Sequence, residues 1–180
     1  HHGYANNLDV LVNAAEILQA RGHGAAIRFR LIGDGPYKDI LMQMVADKEL
    51  KNVTFEPSLP KSEVHAELAS AHGFIMILRP SDVFQWGISP NKLADYMACA
   101  RPVLFGVSCE ENPVRESGCG VEFDPTSPED MARAVLQLFG MTPAERHDMG
   151  MRGREYAVRH NDIRAIMRRM VRFVTTGERT

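Results

Sequence analysis

The chain reads as an α/β protein, a doubly wound parallel sheet with helices on both faces. Helical and strand-like stretches alternate along all 180 residues, the pattern that builds parallel sheets from strand–helix–strand units. The most apolar short run, Phe74-Ile75-Met76-Ile77-Leu78, suits a central strand covered on both sides. Right-handed crossovers between such strands then give the doubly wound arrangement. No repeat or linker divides the chain, so residues 1–180 read as one domain, with 162–180 as a C-terminal helix and tail.

Each element follows from its pattern. Leu8, Leu11, Val12, Ala15 and Leu18 recur at helical spacing, and Arg21-Gly22-His23-Gly24 stops that helix. In "AIRFRLIG" the alternation of Ile27, Phe29 and Leu31 marks a strand, closed by the turn Gly33-Asp34-Gly35-Pro36. Residues 37–48 form the next helix, with Ile40, Leu41, Met44 and Val45 on one side. "NVTFE" is a short strand, "KSEVHAELAS" a short helix, and "GFIMIL" the apolar strand. A helix starting in "GISPNK", the strand "PVLFG", a loop from Glu110 to Ser117 and the strand "GCGVEF" come next. Ser127-Pro128 and Thr142-Pro143 each open a helix, with a capping hydroxyl followed by proline at the first turn. The last helix, from about Asp162 to Val174, places Ile163, Ile166, Met167, Met170 and Val174 on one stripe. Arg164, Arg168, Arg169 and Arg172 take its other faces. A core-facing stripe beneath a solvated basic face is the commoner arrangement, and peripheral contact with an anionic membrane is the alternative.

Composition narrows the function. A net charge of −2 argues against a protein built for nucleic acid. No apolar run approaches the ~20 residues that span a bilayer. Cys99, Cys109 and Cys119 are odd in number and far apart, which fits a reducing cytoplasm better than a disulfide framework. No signal peptide is evident; the chain opens on His1-His2 without methionine, which fits an expression fragment with residual tag. The histidines lack HExxH spacing, there is no Asp-x-Asp, and no GxGxxG follows a strand. Neither a metal site nor a dinucleotide fingerprint is expected.

The chemistry concentrates in "GISPNKLADYMA", residues 87–98. In an open α/β sheet, ligands bind where strand ends lead into helix starts. Ser89 suits the N-cap and Pro90 the first helical position, while Ile88 and Asn91 complete the turn. The free amides and positive end of that helix favour an anion, and Gly87 admits close approach. Ser89, Lys92 and Asp95 share one face, with Leu93, Tyr96 and Met97 turned toward the core. Lys92 is placed to neutralise phosphate, and Asp95 to accept hydrogen bonds from paired sugar hydroxyls. The same residues also describe an ordinary Ser-Pro helix start with a Lys92–Asp95 surface ion pair.

Six stretches follow one another along the chain: "NNLDVLVNAAEIL", "RLIGDGPYKDIL", "NVTFEPSLPKSEV", "LASAHGFIMIL", "SPNKLADYMACARPVLFG" and "SGCGVEFDPTSPEDMARAVLQL". In that order they resemble the C-terminal, donor-binding domain of GT-B-fold glycosyltransferases, more narrowly the group 1 (GT4) family. The resemblance runs from about Tyr4 to the end. It implies a Rossmann-like domain, the C-terminal half of a GT-B fold, that binds a nucleoside-diphosphate sugar, UDP first among the bases, without a metal.

The resemblance also assigns residues. The family's second acidic position, which meets the ribose, falls at Asp95, shortened from the usual glutamate. Its first, which often contacts the transferred sugar, falls at Gly87; Gln85 and Asp82 are the nearby substitutes. The lysine of the family's first strand–helix loop falls at Asn6, leaving Lys92 and Arg79 as suppliers of positive charge. Arg79 is equally readable as a strand-end arginine reaching solvent. Gly33, Asp34 and Gly35 match a loop that closes near the nucleotide, and Ser58 and Leu59, ahead of Pro60, match backbone that meets the base. Glu110-Glu111-Asn112 reads as solvated loop charges or a contact to the donor sugar. Lys92 is the residue expected to stabilise the leaving phosphate. The acceptor, a glycan or a lipid-linked molecule, and any general base belong to an N-terminal domain outside this chain, so the isolated domain is expected to be inactive. The implied setting is surface polysaccharide assembly, lipopolysaccharide included, in the cytoplasm or at the inner face of the plasma membrane. A non-catalytic nucleotide-sugar-binding domain and a GT-B nucleotide-sugar epimerase are the alternatives.

Overall fold

The computed structural model describes residues 1–86, 88 and 91–177. Its strands are β1 (Phe29–Ile32), β2 (Val53–Glu56), β3 (Phe74–Ile77), β4 (Val103–Gly106) and β5 (Gly120–Glu122). Its helices are α1 (Leu8–Ala20), α2 (Lys38–Asp47), α3 (Lys61–Ser70), α4 (Asn91–Ala98), α5 (Pro113–Ser117), α6 (Pro128–Gly140), α7 (Pro143–Asn161) and α8 (Ile163–Thr176). Every strand pairing is parallel, as the alternation of helices and strands predicts. The strands do not form one ladder, however. β1 pairs with β2, β3–β4–β5 form a second sheet, and β1 and β3 are not hydrogen-bonded to each other.

The two sheets nevertheless share a core. Phe29 and Leu31 of β1 cluster with Ile77, Leu104 and Val121 of the second sheet and with Phe123 just past β5, beneath α1 and α6. On the opposite face Met76, Val103 and Phe105 pack against Leu93 and Met97 of α4 and Ala157 of α7. Helices therefore cover both faces, and the alternate buried residues of each strand feed one side or the other. α7 seats closely behind α4: a Cβ at Gly150 would lie 2.2 Å from the carbonyl oxygen of Ala100. Only a glycine permits that approach.

Two expectations change. The stretch read as a loop contains α5, because Asn112 caps it: its side-chain oxygen accepts from the amides of Val114 and Arg115 at 3.0 and 3.1 Å. Its amide nitrogen donates to Glu122 at 2.8 Å. Asn112 is thus a buried cap, while Glu110 and Glu111 are exposed. The apolar stripe of α8 also differs from a core-facing one. Ile163 and Val174 are 65% and 72% exposed, and among the described residues no side chain of α8 joins either core cluster.

Candidate functional site

Parallel strands end on one edge, and there the termini of β1 and β3 flank the first residues of the chain. Residues 2–5 thread between them: the His2 amide donates to the Asp34 carbonyl at 2.8 Å, Tyr37 donates to the His2 carbonyl at 3.0 Å, and the Arg79 amide donates to the Ala5 carbonyl at 3.0 Å. Gly35, at φ 155°, makes this possible, because a Cβ there would sit 2.6 Å from the His2 carbonyl oxygen. The glycine turn predicted to close near a ligand closes on the chain's own segment. Lys38, in the first turn of α2, fixes the turn by donating to the Gly33 carbonyl at 2.9 Å.

Arg79 is committed to the same segment rather than to solvent. Its guanidinium pairs with Asp9 at 2.7 Å, donates to the Tyr4 carbonyl at 3.0 Å and lies 3.9 Å from the Tyr4 ring centroid. Donation to two separate acceptors plus stacking holds residues 4–9 against the end of β3. Beside them, Lys92 reaches Asn6 Oδ1 at 3.5 Å.

Positive charge gathers here. Burial holds the His2 imidazole below 6.5; the amino terminus, Lys38 and Lys92 push it the same way, and Asp34 opposes them. Burial likewise lowers Lys92 from 10.5, although part of its side chain meets solvent, and a hydrogen bond with the amino terminus acts against that fall. Burial thus works against charge on both the His2 imidazole and the Lys92 ammonium, and an anion placed beside them would favour the charged forms. His2 Nδ1 is buried with no hydrogen-bond partner among the described residues. His2 and Lys38 were not among the expected site residues. A basic residue opening the helix after a glycine turn was the available signal for Lys38; for His2, only the fold brings it there.

The other expected residues fall as follows. Lys92 and Asp95 are exposed on α4, while Leu93 and Met97 are buried and Tyr96 stacks on Phe74 at 4.4 Å. Ile88 packs against the second core cluster, and Asn91 begins α4. Gly87, Ser89 and Pro90 lie outside the described residues. Ser58 is exposed and Leu59 half-buried in the loop after β2. Asp82 and Gln85 belong to a 3-10 turn over Asp82–Trp86. A separate cavity of about 420 Å³ opens beyond β4 and β5, lined by Ser108, Cys109, Arg115, Glu122, Asp124 and Asp130. Neither Lys92 nor Asp95 lines it. Among the described residues, no group of three His, Cys, Asp or Glu side chains is placed to hold a metal, and no helix is long and apolar enough to cross a membrane.

Solved structures resemble this fold at low identity. Sucrose-phosphate synthase from Thermosynechococcus elongatus superposes with a TM-score of 0.76 at 16% identity, over 98% of this chain and 44% of that one. TarM of S. aureus, solved with UDP, gives 0.79 at 18% identity, over 97% of this chain and 34% of that one. WaaG, a glycosyltransferase involved in lipopolysaccharide biosynthesis, gives 0.70 at 16%, over 96% and 44%. The chain thus spans less than half the length of each. No curated protein sequence matches it. A family profile described as "Glycosyl transferases group 1" matches residues 1–140; enzymes of that family use nucleotide-sugar donors without a metal cofactor. The α/β fold with parallel strands and this match over most of the chain agree: the protein belongs to the group 1 glycosyltransferases.

Proposed function

We propose that this chain is the donor-binding half of a retaining glycosyltransferase. It grips the diphosphate of a nucleotide sugar, UDP first among the bases, and the sugar passes to a glycan or lipid-linked acceptor in surface polysaccharide assembly. The observation that supports this most is the pair of lysines at the strand ends: Lys38 bonds the Gly33 carbonyl at 2.9 Å and Lys92, in the first turn of α4, reaches Asn6 at 3.5 Å. As the bond from the anomeric carbon to the phosphate oxygen breaks, its electron pair stays on the leaving diphosphate. Lys92 and the fixed amides of the helix start would stabilise that growing charge more than the ground state's. Asp95 holds the ribose, and the loop at Ser58 and Leu59 meets the base. The glycine turn, Gly33 to Gly35, and Arg79 act by holding residues 1–9 beside the phosphates.

The acceptor and any base come from a further domain, against which the exposed stripe of α8 packs; binding of the chain to anionic vesicles would favour a bilayer contact instead. Free Cys99, Cys109 and Cys119 suit a reducing cytoplasm. The test is a thermal-shift comparison of UDP, GDP, ADP and TDP, since a ligand that binds only the folded form raises Tm. A clear shift with UDP supports the reading; no shift with any of the four overturns it. Gly87, standing where an acid meets the sugar in relatives, favours a second reading in which the site binds but does not transfer. Donor hydrolysis or transfer by the chain joined to an acceptor domain would exclude that reading.

A further inference from the structure

We infer that Tyr4 is a platform for the sugar that the donor carries, its exposed ring taking the C–H face of a hexose attached to the diphosphate. The inference rests on the donor-binding reading and names a residue to which that reading gives no contact with the donor. Tyr4 is 62% exposed, yet its ring is held in place. The Arg79 guanidinium lies over it at 3.9 Å from the centroid, and the Tyr37 ring stands nearly perpendicular to it at 5.6 Å. Arg79 is itself anchored, bonding Asp9 at 2.7 Å and the Tyr4 carbonyl at 3.0 Å. An exposed aromatic side chain is ordinarily free to change rotamer, and a ligand that stacks on it must pay for that freedom. A ring already held loses little more when it is covered.

Position decides which part of a donor would meet the ring. Tyr4 opens the 3-10 turn Tyr4–Asn6, so it stands about 4 Å along the turn axis from Asn6. Asn6 Oδ1 is the atom that Lys92 reaches at 3.5 Å. A diphosphate held at Lys92 is therefore one short turn away from the ring. On the donor-binding reading the base lies at Ser58 and Leu59, after β2, and the ribose at Asp95, further along α4. The nucleoside is thus committed to other elements, and the group left beside the first turn of α4 is the sugar on the outer phosphate. The chemistry fits. A pyranose carries hydroxyls around its rim and a patch of C–H groups on a face, and that patch packs on a flat ring through dispersion and the negative charge of the ring face. Gly87 has no side chain to offer a sugar hydroxyl, and recognition through C–H groups needs none. A flat platform also discriminates, because a hexose with an axial hydroxyl on the stacking face is held off the ring.

Calorimetric titration of the 180-residue chain with UDP, UDP-glucose, UDP-galactose and UDP-N-acetylglucosamine tests this in the parent, Tyr4→Phe and Tyr4→Ala. Residues 4–9 should stay in place in both variants, because Arg79 bonds the Tyr4 carbonyl and the Asp9 carboxylate, which neither variant removes. At least one UDP-sugar should bind the parent about fivefold more tightly than UDP. Tyr4→Phe should keep that advantage, and Tyr4→Ala should erase it while changing UDP affinity by less than about twofold. In proton NMR the C–H signals of the same sugar should move upfield on binding to the parent and to Tyr4→Phe, since a ring face shields protons held over it, and should not do so with Tyr4→Ala. No binding of any ligand, UDP included, would remove the donor-binding reading and this inference with it. Where UDP does bind, UDP-sugars no tighter than UDP would overturn the platform alone. An advantage that survives Tyr4→Ala would do the same. Equal losses of UDP and UDP-sugar in Tyr4→Ala would set the ring against the nucleotide instead, and would equally overturn it.

Discussion

The Cβ that alanine would add at Gly35 falls 2.6 Å from the carbonyl oxygen of His2, and the residue sits at φ 155°. The turn after β1 and the first residues of the chain are therefore one structural unit. Gly35→Ala should push residues 1–5 out of place and cost about 1–3 kcal/mol, a Tm drop of roughly 2–10 °C. Gly140→Ala is the control, with nothing within 4 Å of the added atom. UDP affinity should fall with Gly35→Ala and stay unchanged with Gly140→Ala. Equal Tm for the two variants would show that the His2 contact is not constraining.

His2 gives the fold a dependence on pH. Burial first, and then its cationic neighbours, lower the folded-state pKa below 6.5. The unfolded chain then binds more protons between the two values, so stability is held above 6.5 and lost as pH falls through it toward the folded value. The ring packs edge-on to Phe55 at 6.0 Å, a contact that phenylalanine can keep. Between about pH 7.5 and about pH 5.5, the parent should lose more Tm than His2→Phe. An identical slope for both would remove His2 from the titration.

Lys92 should trade stability for binding. Burial lowers its pKa in the folded state, so the charged form is less favourable there than in the unfolded chain. Lys92→Met should leave the ligand-free Tm unchanged or higher. It should weaken UDP by about tenfold or more, the loss of one charge-assisted hydrogen bond, and flatten the salt dependence of binding. Calorimetry at two ionic strengths checks both effects. A lower ligand-free Tm with unaltered UDP affinity would make Lys92 structural, held for its contact with Asn6.

Legibility in the sequence divided along physical lines. Helices α1 and α6 and the strand β3 were readable because burial imposes a period on side chains, and in α2 the period held for Leu41, Met44 and Val45 but not for Ile40, which is 49% exposed. α5 was not, since it is set by one capping side chain, Asn112, whose partner Glu122 is ten residues away. The inward face of α4 was legible from spacing alone, as buried Leu93 and Met97 confirm. The role of Arg79 was not, because its partners Tyr4 and Asp9 are brought to it only by the fold. The division of the strands into two sheets was equally hidden: periodicity reports that a strand is buried, not which neighbour it pairs with.

Asp95 carries the most specific prediction. It lies three residues beyond Lys92 on the exposed face of α4, so a phosphate held at Lys92 leaves the pentose about one turn further along the helix. An ionised carboxylate accepts from two neighbouring hydroxyls at once, each bond charge-assisted. Asp95→Ala should therefore weaken UDP about tenfold to a hundredfold, from roughly 1.5–3 kcal/mol of lost hydrogen bonding. Inorganic pyrophosphate has no ribose, and its affinity should not change. Asp95→Glu keeps both acceptor oxygens on a longer arm and should retain most of the UDP affinity, whereas Asp95→Asn, which replaces one acceptor by a donor, should not. Calorimetric titration of the three variants with UDP and pyrophosphate separates these outcomes. Equal losses for the two ligands would mean that Asp95 acts on the phosphates or on the fold, and the ribose would need another partner.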